Sequence, residues 1–286
     1  MKVFFVRIIQ TIQDTLINFF YCLGDIFKVL IFSKLKTINS DNTNSEIVVI
    51  GNGPSAEEYL TRYVSSGSAI DIMALNFFAI DKWFFQVRPK YYVLADPQVF
   101  NSNSIPKVVK DKYEHLLESL SKVDWKFYLI LPQHFRNARI IKDLEELNFQ
   151  GKIIRYNNIP LKSKGLIANK LMHFGLGIAT PESVIISAIA LSINFGFKKV
   201  FLTGVEHSWV KEIEVDSKNK VSYTLKHFYK GDKAYSSPYT MAQFMTSQYR
   251  LFSSHERIAN YARFKDVEVI NTTKDSLIDA YAKSSE

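Results

Sequence analysis

Cysteine is almost missing from this chain, with Cys22 the single one among 286 residues. An internal disulfide is thereby excluded, and a reducing compartment fits. No Cys/His cluster has the spacing of a metal site, and the six histidines are scattered. There are no internal repeats. Low-complexity sequence is confined to Asn39-Ser40-Asp41-Asn42-Thr43-Asn44-Ser45, which reads as a linker. Lysines and arginines are spread out without a basic aromatic motif, which argues against nucleic acid as a partner. Apolar residues are plentiful: 47% hydrophobic and 14% aromatic, enough for one large core or two small ones. The net charge of +8 and pI near 9.3 favour an anionic partner such as a nucleotide or a membrane surface.

Residues 2–35, before the linker, are dominated by Phe, Ile, Leu and Val. Arg7, Asp14, Asn18, Asp25 and Lys28 fall near one helical stripe, which predicts an amphipathic helix. Asp14 and Asp25 interrupt any run of the roughly 20 apolar residues that a bilayer span needs. A small-residue cleavage site is lacking, so a signal peptide is not expected. The first reading is an interfacial membrane helix; an oligomer-forming or core-packing helix is the alternative, and a true span the third.

The most informative stretch is Gly51-Asn52-Gly53-Pro54-Ser55, directly after Ile47-Val48-Val49-Ile50. Four β-prone residues predict a buried strand, two glycines a sharp turn, and Pro54 the start of a helix. Backbone N–H groups converging at that helix N-terminus would suit a phosphate. A nicotinamide-type site wants an acidic residue at the end of the second strand. Here Ile70-Asp71-Ile72-Met73-Ala74-Leu75 ends in Asn76, and Tyr91-Tyr92-Val93-Leu94-Ala95 ends in Asp96-Pro97. Asn52, Asn76 and Asp96 would therefore sit at the carboxyl ends of successive strands, where open α/β sheets bind ligands. Asn supplies both donor and acceptor for a base edge or ribose.

Further strands are expected at 127–131, just after Gly151, at 199–204 and at 267–270, alternating with helices. One helix passes through Tyr113, another starts at Thr180-Pro181-Glu182-Ser183, and the last covers roughly 241–263. The predicted fold class is α/β, a single Rossmann-like, mostly parallel sheet. Residues 1–38 would form the N-terminal helix, 39–45 the linker and 46–286 the α/β domain with its nucleotide site.

This ordered set resembles the bacterial sialyltransferases of glycosyltransferase family 42. The shared features are the Gly-Asn-Gly-Pro-Ser turn at 51–55, Asn76 at the end of the second strand and the helix start at 180–183; after the third strand this chain has Asp96-Pro97 where the family has Asn-Pro. Gly196-Phe197-Lys198, the strand end Thr203-Gly204, and the tail from Ile270 through Leu277 follow in the same order. The resemblance covers about residues 46–281. A wider group, resembling archaeal pterin diphosphokinases and flagellin glycosyltransferases, shares the first motif.

The resemblance implies a GT-A-variant-like fold with a mobile lid at about 207–238. It implies inverting transfer of a nonulosonic acid from a CMP-sugar to a glycan or lipid-linked acceptor, without a metal or other cofactor. Gly51, Asn52, Gly53, Ser55, Asn76, Asp96, Thr180, Ser183, Thr272 and Ser276 become the expected nucleotide-binding residues. The implied base is His227, flanked by Tyr223 and Tyr229 as leaving-phosphate partners, with His207 at the strand end as its rival. The family shows a tyrosine near Ser208, so this chain departs from the phosphate clamp there, with Tyr223, Tyr229 or Lys230 as the expected substitutes. His115, His134, His173 and His255 are expected to be surface or structural residues. The implied location is the cytoplasmic face of the inner membrane, as a peripheral protein and a potential homo-oligomer. A pterin diphosphokinase-like enzyme would instead need Mg²⁺ and clustered carboxylates, for which Asp96 and Glu206 are the candidates. A non-catalytic nucleotide-binding assembly subunit is the other alternative.

Overall fold

The Ile47-Val48-Val49-Ile50 run has no polar alternation, and in the computed structural model it is buried on both faces, as a central parallel strand requires. The structure describes residues 2–34, 44–67, 69–100, 107–225, 233–237 and 239–284. Strands in chain order are β1 (Glu46–Ile50), β2 (Asp71–Leu75), β3 (Tyr91–Val93), β4 (Tyr128–Pro132), β5 (Lys152–Tyr156), β6 (Pro160–Leu161) and β7 (Ile178–Ala179). They continue as β8 (Lys199–Thr203), β9 (Ile213–Val215), β10 (Val221–Leu225), β11 (Lys233–Ser236), β12 (Glu268–Asn271) and β13 (Ala282–Lys283). The helices are α1 (Lys2–Phe32), α2 (Ala56–Ser66), α3 (Trp83–Val87), α4 (Pro97–Phe100) and α5 (Lys107–Ser121). After them come α6 (Arg139–Glu146), α7 (Leu166–His173), α8 (Val184–Asn194) and α9 (Met241–Phe264).

Eight strands make one sheet in the order β13-β12-β8-β1-β2-β3-β4-β5, and every neighbouring pair in it is parallel. The expected α/β class holds, and each strand read from the sequence is present. Alternate residues of β1 feed different cores. Ile47 and Val49 pack with α8 and α9; Val48 and Ile50 pack with α2, α3, α5 and α6. Helix α8 is buried on nearly all sides, which explains its mostly apolar sequence, with Ser187 and Ser192 the small polar residues among the buried ones. Helix α9 opens on a capping box between Thr240 and Gln243.

The segment read as a lid is largely built: β9, β10 and β11 form a three-stranded antiparallel sheet after a short helical turn at Ser208–Glu212. His227, Tyr229 and Lys230 lie outside the described residues. Also beyond the sequence reading is a two-stranded sheet, β6 with β7, on which α1 is seated.

Candidate functional site

From β1 the chain steps outward through β2 to β5, then returns to the opposite side at β8. A crevice therefore opens between the carboxyl ends of β1 and β8, at the switch point of the sheet. The two strand-end turns meet there backbone to backbone: Gly51 N–H donates to Thr203 O at 2.8 Å and Gly53 N–H to Gly204 O at 2.9 Å. A Cβ on Gly51 would stand 2.2 Å from Gly204 O, and one on Gly204 2.7 Å from Gly51 O. This contact needs glycine on both sides.

A cavity of about 160 Å³ occupies the crevice, lined by Asn52, Gly53, Asn76, Ser183, Glu206 and His207 among others. Asn76, Ser183 and Val184 also line a second cavity, of about 400 Å³, with Asp96, His134 and Asn158. The two form one bipartite cleft across the sheet end. In one respect the turn departs from the sequence expectation. Its amides do not converge on open space, because the N–H of Ser55 donates to Glu206 Oε1 at 2.8 Å. The chain's own carboxylate thus fills the anion position at the start of α2, the partner that the helix dipole favours.

Asn76 has φ +48°, and its Oδ1 accepts from the N–H groups of Ala95 and Asp96 at 3.0 and 3.1 Å. It ties β2 to β3, leaving its NH₂ group as the remaining hydrogen-bonding face. Asp96 accepts from Gln98 N–H at 2.9 Å; burial raises its carboxyl pKa, opposed by that bond and by Lys112. Ser183 begins α8 and lines both cavities.

Other expected nucleotide contacts are placed differently. Thr180 bonds the Leu161 carbonyl and receives Arg257, Thr272 bonds the Leu202 carbonyl, and none of Thr180, Thr272 and Ser276 lines either cavity. Ser276 instead donates to Val205 O at 2.7 Å, Thr273 Oγ1 accepts from Val205 N–H at 3.1 Å, and Leu277 N–H donates to Glu206 O at 2.9 Å. The tail residues therefore strap the β8 exit loop in place. Tyr223 packs its ring at a tilt against Phe244 of α9, with ring centroids 5.4 Å apart, and lines neither cavity.

The strand-end histidine is the most developed polar element of the cleft. His207 sits in left-handed backbone (φ +50°), a strained conformation for a non-glycine residue. Its Nε2 meets Nε2 of His255 at 3.0 Å, and His255 Nδ1 meets the Tyr281 hydroxyl at 3.0 Å. Tyr281 is buried, and burial pushes its phenol pKa well up, so it keeps its proton and needs an acceptor. That sets the direction of the chain: Tyr281 O–H donates to His255 Nδ1, and His255 Nε2–H donates to His207 Nε2. His207, which lines the first cavity, is left with Nδ1–H as the ring nitrogen outside the relay.

Burial lowers the His207 pKa to about 4 and that of His255 well below 6.5, the latter aided by His207. Both rings are therefore neutral at physiological pH. Below about 6.5 the unfolded chain binds protons that the folded chain refuses, so stability present above that pH is lost as pH falls toward 4. For His207 alone the loss between pH 7.5 and 5 is about 2 kcal/mol. Urea unfolding at the two pH values should show it, and His207→Gln should flatten the dependence by about that amount.

His255 is packed rather than solvated. It belongs to the buried stripe of α9 with Leu251, Ile258 and Ala262, the one sequence signal that could have flagged it. Tyr281 and Asn158 carried no local signal. His134, expected to be a surface or structural residue, lines the second cavity, and burial lowers its pKa.

No protein-family model matches the chain, and a search of curated proteins finds no match. Among solved structures it is similar to the MAf glycosyltransferase of Magnetospirillum magneticum AMB-1, at 13% identity and a TM-score of 0.45. That alignment covers 89% of this chain and 35% of the other, so this chain spans about a third of that protein's length.

Proposed function

We propose that this protein is an inverting glycosyltransferase that moves a nonulosonic, sialic acid-like sugar from a CMP-activated donor to a surface-glycan hydroxyl. The observation that carries this reading is the bipartite switch-point cleft, with residues 51–54 of the glycine turn in one cavity and Asn76 bridging to Asp96 in the other. The donor phosphate takes the place of the Glu206 carboxylate at the start of α2 once that side chain swings aside. Asn52, Asn76 and Asp96 meet the nucleoside.

In the reaction, the acceptor oxygen forms the new bond to the anomeric carbon as the bond from that carbon to the phosphate oxygen breaks. The acceptor proton passes to a base, for which His227 remains the proposed residue, and the electron pair leaves with CMP. Neutral His207 donates Nδ1–H to the departing phosphate oxygen, the task that the family gives to tyrosine. A nucleoside monophosphate leaves without a divalent ion, so no metal is assigned. Asp96 and Glu206 line different cavities, and among the described residues no three His, Cys, Asp or Glu side chains come together. This arrangement supports sugar transfer over a pterin diphosphokinase-like reaction. The proposed place of work is the cytoplasmic face of the inner membrane, on a glycan or lipid-linked acceptor.

Thermal shift with CMP, CDP, UDP, GDP and ATP tests the donor. CMP at about a hundredfold excess over its Kd should stabilise the fold by about 2.7 kcal/mol, or roughly 5–10 °C. Preference for UDP or GDP would refute the CMP assignment. CMP release from a CMP-nonulosonate separates an enzyme from a silent binding subunit.

A further inference from the structure

Helix α1 is attached to the body by the wrong side for a soluble protein. Its polar stripe faces inward. Asp25 is buried and accepts from the N–H groups of Lys162 and Ser163 at 2.8 and 2.7 Å and from Ser163 Oγ at 2.7 Å, with Lys28 paired to it at 2.7 Å. Asn18 accepts from Lys164 N–H at 2.7 Å and donates back to its carbonyl, while Cys22 and Val29 are buried on the same side. At the helix end, Lys34 and Asn157 exchange two hydrogen bonds. At 100° per residue, the opposite stripe consists of Ile9, Ile12, Leu16, Phe20, Leu23 and Phe27. These are between 51% and 66% exposed. An amphipathic helix normally does the reverse.

We infer that α1 is an in-plane membrane seat, lying along the bilayer surface with its outward apolar stripe among the acyl chains and its polar stripe clamped to the protein. Three observations favour lipid as the occupant. The apolar surface continues beyond the helix, since Leu166 and Ile167, exposed by 58% and 42%, follow directly on the loop that Asn18 and Asp25 grip. The same loop and the helix after it carry the exposed cations Lys162, Lys164 and Lys170, which suit anionic headgroups. Phe5–Phe32 is long and apolar enough to cross a membrane by length and composition. The clamp, however, begins at Asn18, leaving residues 2–17, roughly 24 Å of helix at 1.5 Å per residue, against a hydrocarbon core of about 30 Å. The length that could span is held against the protein.

The seat also adjoins the cleft. Asn157 bonds Lys34, and its neighbour Asn158 lines the second cavity. The bilayer surface would thus run close to the cavity proposed for the nucleoside; that consequence, unlike the seat itself, rests on the glycosyl-transfer reading.

Flotation of the full chain with phosphatidylglycerol-containing vesicles tests the seat without any turnover, so its failure and that of the proposed reaction are separable. Wild type should float. Phe20→Asp with Phe27→Asp, both on the exposed stripe, should lower the bound fraction at least about tenfold with the fold intact by circular dichroism. Spin labels at Ile12→Cys, Leu16→Cys, Phe20→Cys and Leu23→Cys, in a Cys22→Ser background, should all report similar shallow depths. A steady depth gradient along the helix would mean a span and overturn the in-plane seat. Failure of wild type to float would overturn it too. Dimers that dissociate in the Phe20→Asp, Phe27→Asp variant would then assign the stripe to a second copy.

Discussion

His207→Ala is expected to slow CMP release from a CMP-nonulosonate by about 10²–10³-fold, the usual cost of losing one preorganised donor to a developing oxyanion. Affinity for CMP itself should change little, because the donor matters most when the bridging oxygen takes up charge. The pH profile separates this role from that of a base. With its pKa near 4, His207 keeps the same protonation state from pH 5 upward, so it contributes no acid limb in that range. A limb near 6.5, the ordinary imidazole value, would come from a different histidine acting as the base, the role proposed for His227. His255→Ala and Tyr281→Phe should act through His207. Loss of the Tyr281 O–H frees His255 Nδ1 to take a proton or switch tautomer, which erodes the fixed direction of the chain and lowers kcat with KM nearly unchanged. A His207→Ala enzyme with normal kcat would remove His207 from the reaction. A wild-type acid limb that disappears in a partially active His207→Asn enzyme would make it the base instead.

What could be read from the sequence, and what could not, divides along local and non-local lines. Apolar runs such as Ile47 to Ile50 and Ile185 to Leu191, the latter broken only by Ser187, announce a buried strand and a buried helix, because burial on all sides removes any polar alternation. The alternation of strands and helices then fixes a parallel sheet, and the glycine turn marks its switch point. Three strand-end residues, Asn52, Asn76 and Asp96, line the two cavities at the sheet end. The misplacements are long-range. Thr272 and Ser276 share the tail motif that suggested ligand contact, yet their hydrogen bonds go to Leu202 and Val205, 70 and 71 residues earlier. The His207 relay joins partners 48 and 26 residues apart in sequence, and no spacing rule connects them. Helix α1 shows the same limit. Its two stripes are plain in the sequence, but it is the bonds of Asn18 and Asp25 to residues 162–164 that reveal which stripe faces the protein.

Glu206 and Gly53 should respond to substitution in opposite directions, because one fills the anion position and the other keeps it open. Glu206 bonds the Ser55 N–H, so a phosphate entering the turn must displace a charge-assisted hydrogen bond at a helix N-terminus. Glu206→Ala removes that competitor. A bond of this kind contributes about 1.5–3 kcal/mol, so CMP should bind roughly 10–100-fold more tightly. Gly53→Val does the reverse. A Cβ on Gly53 would lie 1.5 Å from Glu206 Oε2 and 2.8 Å from Gly204 O. The flexible carboxylate can retreat, but the Gly204 carbonyl belongs to the backbone contact that joins β1 to β8, so the branched side chain projects into the phosphate position and CMP binding is lost. Calorimetry on the two variants, with folding checked by thermal unfolding, decides the matter. Unchanged CMP affinity in both would move the phosphate away from the 51–55 turn, whereas weaker binding in Glu206→Ala would make the carboxylate a ligand-positioning group instead of a competitor.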